Sequence, residues 1–196
     1  MDKILNYIDG KLVEPISGNY LDNYNPSTGQ VYSLIPDSAK LDVNIAIQAA
    51  KTAFVSWSKT PKQERSNILM KLADTIEKYS DDLIKAESKD NGKPESLAAR
   101  VDIPRAPANI RFFAGAILHD SSQIHDMDGM ALNYTLRKPL GVAACISPWN
   151  LPLYLLTWKI APALASGNTV VAKPSEVTPM TAYLLSKICI EAGLPK

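Results

Sequence analysis

Cysteine is scarce in this chain: Cys145 and Cys189 are the only two in 196 residues. That excludes a disulfide framework and a multi-cysteine zinc cluster, and it makes a reducing cytoplasm the expected compartment. Histidine is equally sparse. His119 and His125 lie in a polar stretch without ligand-like partners, so they receive no role and no metal site is expected. Neither sign of charge dominates, with 21 basic and 20 acidic residues and a net charge of +1. No basic stripe offers the footprint that a nucleic-acid binder needs. Long hydrophobic runs are lacking too. The most apolar stretch, Leu151 to Ala165, is interrupted by Pro152, Lys159 and Pro162, too short and too punctuated to span a bilayer. The start, "MDKILNYIDG", has no apolar core of a secretory signal. Internal repeats and low-complexity tracts are absent.

What remains is an ordinary globular composition, 46% hydrophobic and 21% charged, enough to build a core. "YIDGKLV" alternates around Asp9-Gly10, the dipeptide favoured in a type I′ hairpin because both central residues need positive φ. "NPSTGQVYSLI" predicts a turn at Asn25 to Gly29 followed by a strand. From Asp42 the period becomes helical, with Val43, Ala46, Ala50, Ala53 and Phe54 on one face. Thr60-Pro61 followed by Gln63 matches a capping box with proline at the first helical position. Ile68, Leu69, Leu72, Ala73 and Ile76 form the stripe of that helix. A further helix from about Ser80 stops at Asn91-Gly92, with Pro94 beyond. Glu95 to Leu118 is helical but carries Pro104 and Pro107, which predicts a kink or break. Residues 119 to 130 read as a loop, and "ALNYTLRKPL" as an alternating strand.

The last third follows other rules. "GVAACIS" is a continuous apolar run, the pattern of a strand covered on both faces. A turn at Pro148-Trp149-Asn150, a helix to about Ser166, a turn at Gly167-Asn168, a second apolar strand "TVVAK", a turn over Pro174 to Thr178 and a helix over Met180 to Ala192 follow in order. This β-α-β-α succession predicts a parallel sheet. Two parallel strands make a poor sheet by themselves, so the sheet is expected to be incomplete at the C-terminus of this chain.

In open α/β sheets, ligands bind beyond the carboxyl ends of the strands. That rule selects Ile146 to Asn150 and Lys173 to Glu176, two turns at one end of the sheet. Pro148 restricts the backbone and Trp149 offers a flat surface. Asn150 brings an amide to a helix N-terminus, where the dipole favours developing negative charge. Its plainer reading is a helix cap. Lys173 can reach an anion and Glu176 can accept from a ribose diol; their plainer reading is a solvated pair at the next helix.

The segment "GVAACISPWNLPLYLLTWKIAPALASGNTVVAKPSEVTPMTAYLLSKICIEAGLP" resembles the aldehyde dehydrogenase superfamily through "PWN", "WK.APALA.GN", "KPSE..P" and "AGLP", in order and at family spacing. Weaker echoes in "YIDGKLV", "NPSTGQV", "AAKTAFVSW" and "ERSNIL" extend the likeness over essentially the whole chain. The resemblance implies an α/β, aldehyde dehydrogenase-like fold. Residues 1–130 would form the arm hairpin and helices, 131–139 an oligomerisation strand, and 140–196 the first β-α-β-α of a Rossmann-type NAD-binding domain. It also implies that Asn150 is the oxyanion-hole asparagine, a role worth about 3 to 4 kcal/mol for such donors. Lys173 and Glu176 would hold the adenosine ribose, so NAD is favoured over NADP. Ile146, Ser147, Pro148, Trp149 and Ser175 would complete the cofactor contacts. No G-x-G-x-x-G is present, in keeping with the family's variant dinucleotide binding.

"VDIPRAPANIRFFA" together with "ISPWNLPLYLLTWKIAPA" is similar to the 2-aminomuconic and 2-hydroxymuconic semialdehyde dehydrogenases. There, an arginine at the position of Arg105 is proposed to hold the substrate's distant carboxylate, which suits guanidinium geometry. Leu151, Leu155 and Trp158 would line the substrate tunnel. The plainer readings are a surface arginine or structural ion pair, and ordinary core residues. The family's cysteine nucleophile and general-base glutamate have no counterpart among these 196 residues, because Cys145 lies in an apolar strand and Cys189 on an apolar helix face. The implied reaction is NAD-dependent oxidation of an aldehyde to its acid through a cysteine thiohemiacetal and thioester, in a homodimer or homotetramer, with this chain alone inactive. A non-catalytic remnant or interaction module of the same fold is the alternative from another class. An acylating or NADP-preferring relative is the lesser enzymatic one.

Overall fold

A computed structural model describes residues 2–196. The chain opens with three short strands, β1 (Asp2–Lys3), β2 (Asn6–Ile8) and β3 (Lys11–Val13). β2 and β3 form the hairpin expected around Asp9-Gly10, whose φ values of 53° and 72° suit a type I′ turn. β4 (Tyr20–Asn25) and β5 (Gln30–Pro36) pair antiparallel, with β1 added parallel to β5. The turn between β4 and β5 is the one predicted at Asn25 to Gly29.

Helix α1 spans Lys40–Trp57. Its start is fixed by Asp42, a buried carboxylate that accepts from the Ala39 amide at 2.9 Å and from the Ile16 amide at 2.9 Å. Val43, expected on the covered face, is exposed, because the face turned to the protein runs through Ala46, Ala50 and Trp57. α2 covers Lys62–Lys78. The capping box predicted at Thr60 and Gln63 does not form: the Thr60 hydroxyl donates back to Ser56 O, and the Gln63 amide donates to Asn67. Pro61 holds the N-cap position instead. α3 (Ser80–Asn91) ends on Gly92 at φ 79°, the left-handed residue that closes a helix.

The break expected from Pro104 takes a definite form. A short helix α4 (Glu95–Leu97) passes through a five-residue π-turn, Ala98–Asp102, into α5 (Ile103–Ala116). Widening the helix before Pro104 accommodates a residue that has no N–H to give. A 3-10 turn, Ile117–His119, follows. The loop expected over 119–130 contains a strand, β6 (Ile124–Asp126), paired antiparallel with β7 (Leu132–Tyr134). The strand expected across "ALNYTLRKPL" is thus confined to three residues.

β8 (Val142–Ile146) and β9 (Thr169–Lys173) pair in parallel, joined by α6 (Pro152–Ala165), and α7 (Met180–Ala192) closes the chain. This is the predicted β-α-β-α unit. Only one face of β8 is covered among the described residues, since Ala144 and Ile146 are exposed; the reading of two covered faces is corrected accordingly. The core joins Leu69, Leu72 and Ile76 of α2, Leu83 of α3, Ile110 of α5, Leu153 of α6 and Leu185 of α7. Each such side chain contributes about 1.5 to 3 kcal/mol of transfer free energy.

Helix α6 is fixed at both ends and along its length. The Asn109 amide of α5 donates to Tyr154 O and Thr157 Oγ1, both at 3.1 Å. At the far end, Trp57 Nε1 donates to Leu164 O at 3.1 Å and Arg65 Nε to Ala165 O at 3.0 Å, satisfying carbonyls that a helix terminus leaves free. Gly167, at φ 89°, makes the tight turn into β9, where a Cβ would meet Pro139 Cγ at 2.8 Å.

Candidate functional site

The parallel register sets Ile146 of β8 opposite Lys173 of β9, and the Ser147 amide extends the ladder by donating to Lys173 O at 3.1 Å. Both strands therefore release their chains at the same edge. Ser147 is buried, whereas Pro148, Trp149 and Asn150 emerge as an exposed turn. This register brings Ile146 and Ser147 of the first turn against Lys173 of the second.

Asn150 precedes α6, whose N-cap is Leu151 and carries no side-chain cap. The cap reading of Asn150 is therefore not realised. Its amide makes no hydrogen bond among the described residues, while its backbone carbonyl accepts from Lys93 Nζ at 3.2 Å. The neighbouring Trp149 carbonyl accepts from Asn91 Nδ2 at 2.9 Å. An unengaged amide beside the positive end of a helix is chemically suited to a nascent oxyanion.

At the second turn, Lys173 Nζ lies 2.7 Å from Glu176 Oε2 with both side chains mostly exposed. The hydrogen bond from Lys173, followed by one from the Glu176 backbone, holds that carboxyl below the usual range. The pair does not cap α7, whose N-cap is Pro179. Ser175 is buried and shapes the turn: its hydroxyl accepts from the Val177 amide at 3.4 Å and its carbonyl from the Thr178 amide at 3.3 Å. An exposed carboxylate and ammonium at a strand's carboxyl end fit the diol and phosphate of a nucleotide.

Arg105 opens the first full turn of α5. It makes no ion pair among the described residues; its guanidinium stacks on Tyr154 with Cζ 4.9 Å from the ring centroid. Tyr154 in turn contacts Trp158 at 6.2 Å between centroids, and Phe113 contacts Trp158 edge-on at 5.8 Å. Arg105, Tyr154, Trp158 and Phe113 thus stack in succession. Leu151 at the N-cap and Leu155 and Trp158 of α6 are half-buried or half-exposed rather than core.

Both cysteines are free and buried. Burial pushes the Cys189 thiol up to about 12 and raises Cys145 as well, which leaves both protonated near neutrality.

Beneath the first turn lies a group that sequence reasoning missed. Glu87 of α3, Lys93 in the loop after it and Asp102 of the π-turn converge: Lys93 Nζ is 3.4 Å from Glu87 Oε1 and closely paired with Asp102. Burial pushes the Glu87 carboxyl up to about 7, opposed by Lys93 and reinforced by Asp102, with the Leu153 amide of α6 also acting on it. The available signal was Glu87's place on the same helical face as Leu83 and Asp90, all buried.

Comparison with known proteins adds the relations of the chain. The model described as "Aldehyde dehydrogenase family" matches residues 13–196. A 2-aminomuconic semialdehyde dehydrogenase from Bos taurus is 54% identical over 191 residues, covering 97% of this chain and 39% of that protein. A 2-hydroxymuconic semialdehyde dehydrogenase from Pseudomonas sp. (strain CF600) is 44% identical over 200 residues, covering 100% of this chain and 41% of that protein. The NAD+ complex of an aldehyde dehydrogenase from Bacillus cereus superposes with a TM-score of 0.96 at 37% identity, covering 99% of this chain and 40% of that one. The chain thus spans about two fifths of the length of the relatives it matches.

Proposed function

Because the chain belongs to the aldehyde dehydrogenase family, we propose that it forms the cofactor-binding and oxyanion-stabilising part of an enzyme that oxidises a carboxylate-bearing semialdehyde, such as 2-aminomuconic or 2-hydroxymuconic semialdehyde, to the acid. The observation that carries this reading is the shared edge of β8 and β9, where Ile146 faces Lys173 in register. The turn that carries an amide suited to an alkoxide and the turn that carries a lysine-carboxylate pair suited to a nucleotide sugar both leave the sheet at that edge.

NAD, when bound, supplies the hydride acceptor. Glu176 accepts from the ribose hydroxyls and Lys173 donates to the same sugar or its phosphate. Glu176 also disfavours a 2′-phosphate, hence NAD over NADP. Ile146, Ser147, Pro148, Trp149 and Ser175 shape the surface against which the cofactor lies. Asn150 donates to the substrate oxygen as a cysteine thiolate, supplied from outside Cys145 and Cys189, adds to the carbonyl and forms a thiohemiacetal. Arg105 holds the distant carboxylate, and Leu151, Leu155 and Trp158 exclude water around the carbon chain. The relatives' names support the substrate class and the NAD+ complex supports the cofactor.

Residues 1–130 serve as arm and helical frame, 131–139 as the oligomerisation segment and 140–196 as the start of the NAD-binding domain. The hairpin of β6 and β7 exposes Ile124, Leu132 and Tyr134 at 60% or more, which favours burial against another copy in a homodimer or homotetramer. No helix of the described residues is long and apolar enough to cross a membrane, and both cysteines are free; we place the enzyme in the cytoplasm. The test is NADH formation by the natural polypeptide that carries this chain, supplied with either semialdehyde. Robust turnover with NAD supports the proposal; binding of other proteins without turnover supports the non-catalytic alternative.

A further inference from the structure

We propose that Lys93, seconded by Asn91, is a positioning residue that sets the place of the Asn150 amide. The inference rests on the oxyanion role assigned to Asn150 above. The turn from Pro148 to Asn150 is exposed, and loops of that kind drift unless their backbone is held. Two hydrogen bonds reach its backbone from below: Asn91 Nδ2 to Trp149 O at 2.9 Å and Lys93 Nζ to Asn150 O at 3.2 Å. Both come from the end of α3 and the loop that Gly92 turns.

A lysine ammonium is ordinarily a mobile point charge on a flexible stem. Here its freedom is removed. The side chain is 9% exposed, and Asp102 and Glu87 take its other directions. Asp102 belongs to the π-turn that precedes α5, and Glu87 sits on α3, so two separate backbone segments fix the ammonium that in turn fixes Asn150. The bond is made to the carbonyl of the very residue whose side chain would meet the oxyanion. A displacement of about 1 Å at such a group can cost a hundredfold in rate, so removal of the ammonium should be read mainly in turnover.

The test uses three variants of the natural polypeptide that carries this chain, Lys93→Met, Lys93→Arg and Asn91→Ala. The measurements are kcat, the KM for NAD, and amide hydrogen exchange over residues 147–153. Asn91→Ala removes only the outer bond and keeps the buried charges paired, so it remains interpretable should Lys93→Met not fold. Positioning predicts a fall in kcat of about ten- to a hundredfold for Lys93→Met and a smaller fall for Asn91→Ala. KM for NAD should stay within about twofold, exchange should quicken only across the turn, and Lys93→Arg should recover part of the loss. Unchanged kcat and unchanged exchange in both Lys93→Met and Asn91→Ala would overturn it. So would a loss shared equally by kcat, cofactor affinity and exchange throughout the chain, the mark of a merely structural charge pair. Should the unaltered protein oxidise no aldehyde, the functional reading fails by itself, while faster exchange confined to the turn would still support the positioning contact.

Discussion

Glu87 offers a quantitative trial of the buried group under the site. Its carboxyl is fully buried, faced by the charges of Lys93 and Asp102 and by the Leu153 amide, and its pKa stands at about 7 against 4.5 for the free side chain. A carboxyl raised in the fold contributes stability that is fully present below the unfolded value and is lost as pH rises through the folded one. The window therefore runs from about pH 4.5 to about pH 7. At roughly 1.4 kcal/mol per unit, the difference amounts to about 3 kcal/mol as an upper figure. Replacing the residue by glutamine keeps its shape and its ability to accept from Lys93 but removes the titration. Urea unfolding of the chain followed by circular dichroism at several pH values between 5 and 8 should show the unaltered protein losing stability relative to Glu87→Gln by about 2 to 3 kcal/mol across that range. Parallel stability curves for the two proteins would refute the reasoning, since the carboxyl would then titrate alike in folded and unfolded chains.

Other expectations follow from contacts already described. Asn150→Ala should leave the unfolding free energy within about 0.5 kcal/mol, because the amide has no partner among the described residues, yet lower kcat by about a hundred- to a thousandfold in steady-state assays of the natural polypeptide. Arg105→Leu should raise the KM for a carboxylate-bearing semialdehyde by at least about tenfold, the equivalent of one charge-assisted hydrogen bond, and leave the KM for an uncharged aldehyde within about twofold. Leu69→Ala, at a side chain with no exposed surface, should cost about 2 to 5 kcal/mol in denaturant unfolding without altering the ratio of NAD to NADP affinity.

The regular parts of the fold were legible because their causes are local. Asp9-Gly10 dictated its hairpin, the Leu69–Leu72–Ile76 stripe its helix, and the apolar runs around Cys145 and Val170 their parallel strands. Once those strands were placed, the common edge at which Ser147 and Lys173 leave the sheet followed from topology. Features set by tertiary contacts were not legible. Thr60 and Gln63 carry the letters of a capping box, but each side chain finds another partner nearby. The box-like contact instead forms at Asp42, which gains the Ile16 amide from a distant loop. β6 is too short to announce itself in a stretch read as loop, and the strand expected across "ALNYTLRKPL" forms only over the three residues of β7. The convergence of Glu87, Lys93 and Asp102 depends on the π-turn at Ala98–Asp102, which Pro104 hinted at only as a break. Asn150's freedom from capping follows from α6 starting one residue later, with Leu151 at the N-cap, and Arg105's stacking on Tyr154 required the packing of α5 on α6.

A calorimetric titration of NAD and NADP into Glu176→Gln and Lys173→Met forms of the natural polypeptide reaches the nucleotide half of this site most directly. If the Lys173–Glu176 pair grips the ribose, each change should weaken NAD by about ten- to a hundredfold, as expected for a lost charge-assisted hydrogen bond. Glu176→Gln should also narrow the gap to NADP. Unaltered affinity for both dinucleotides would mean that the pair is an ordinary solvated ion pair and that the cofactor, if any, is held elsewhere.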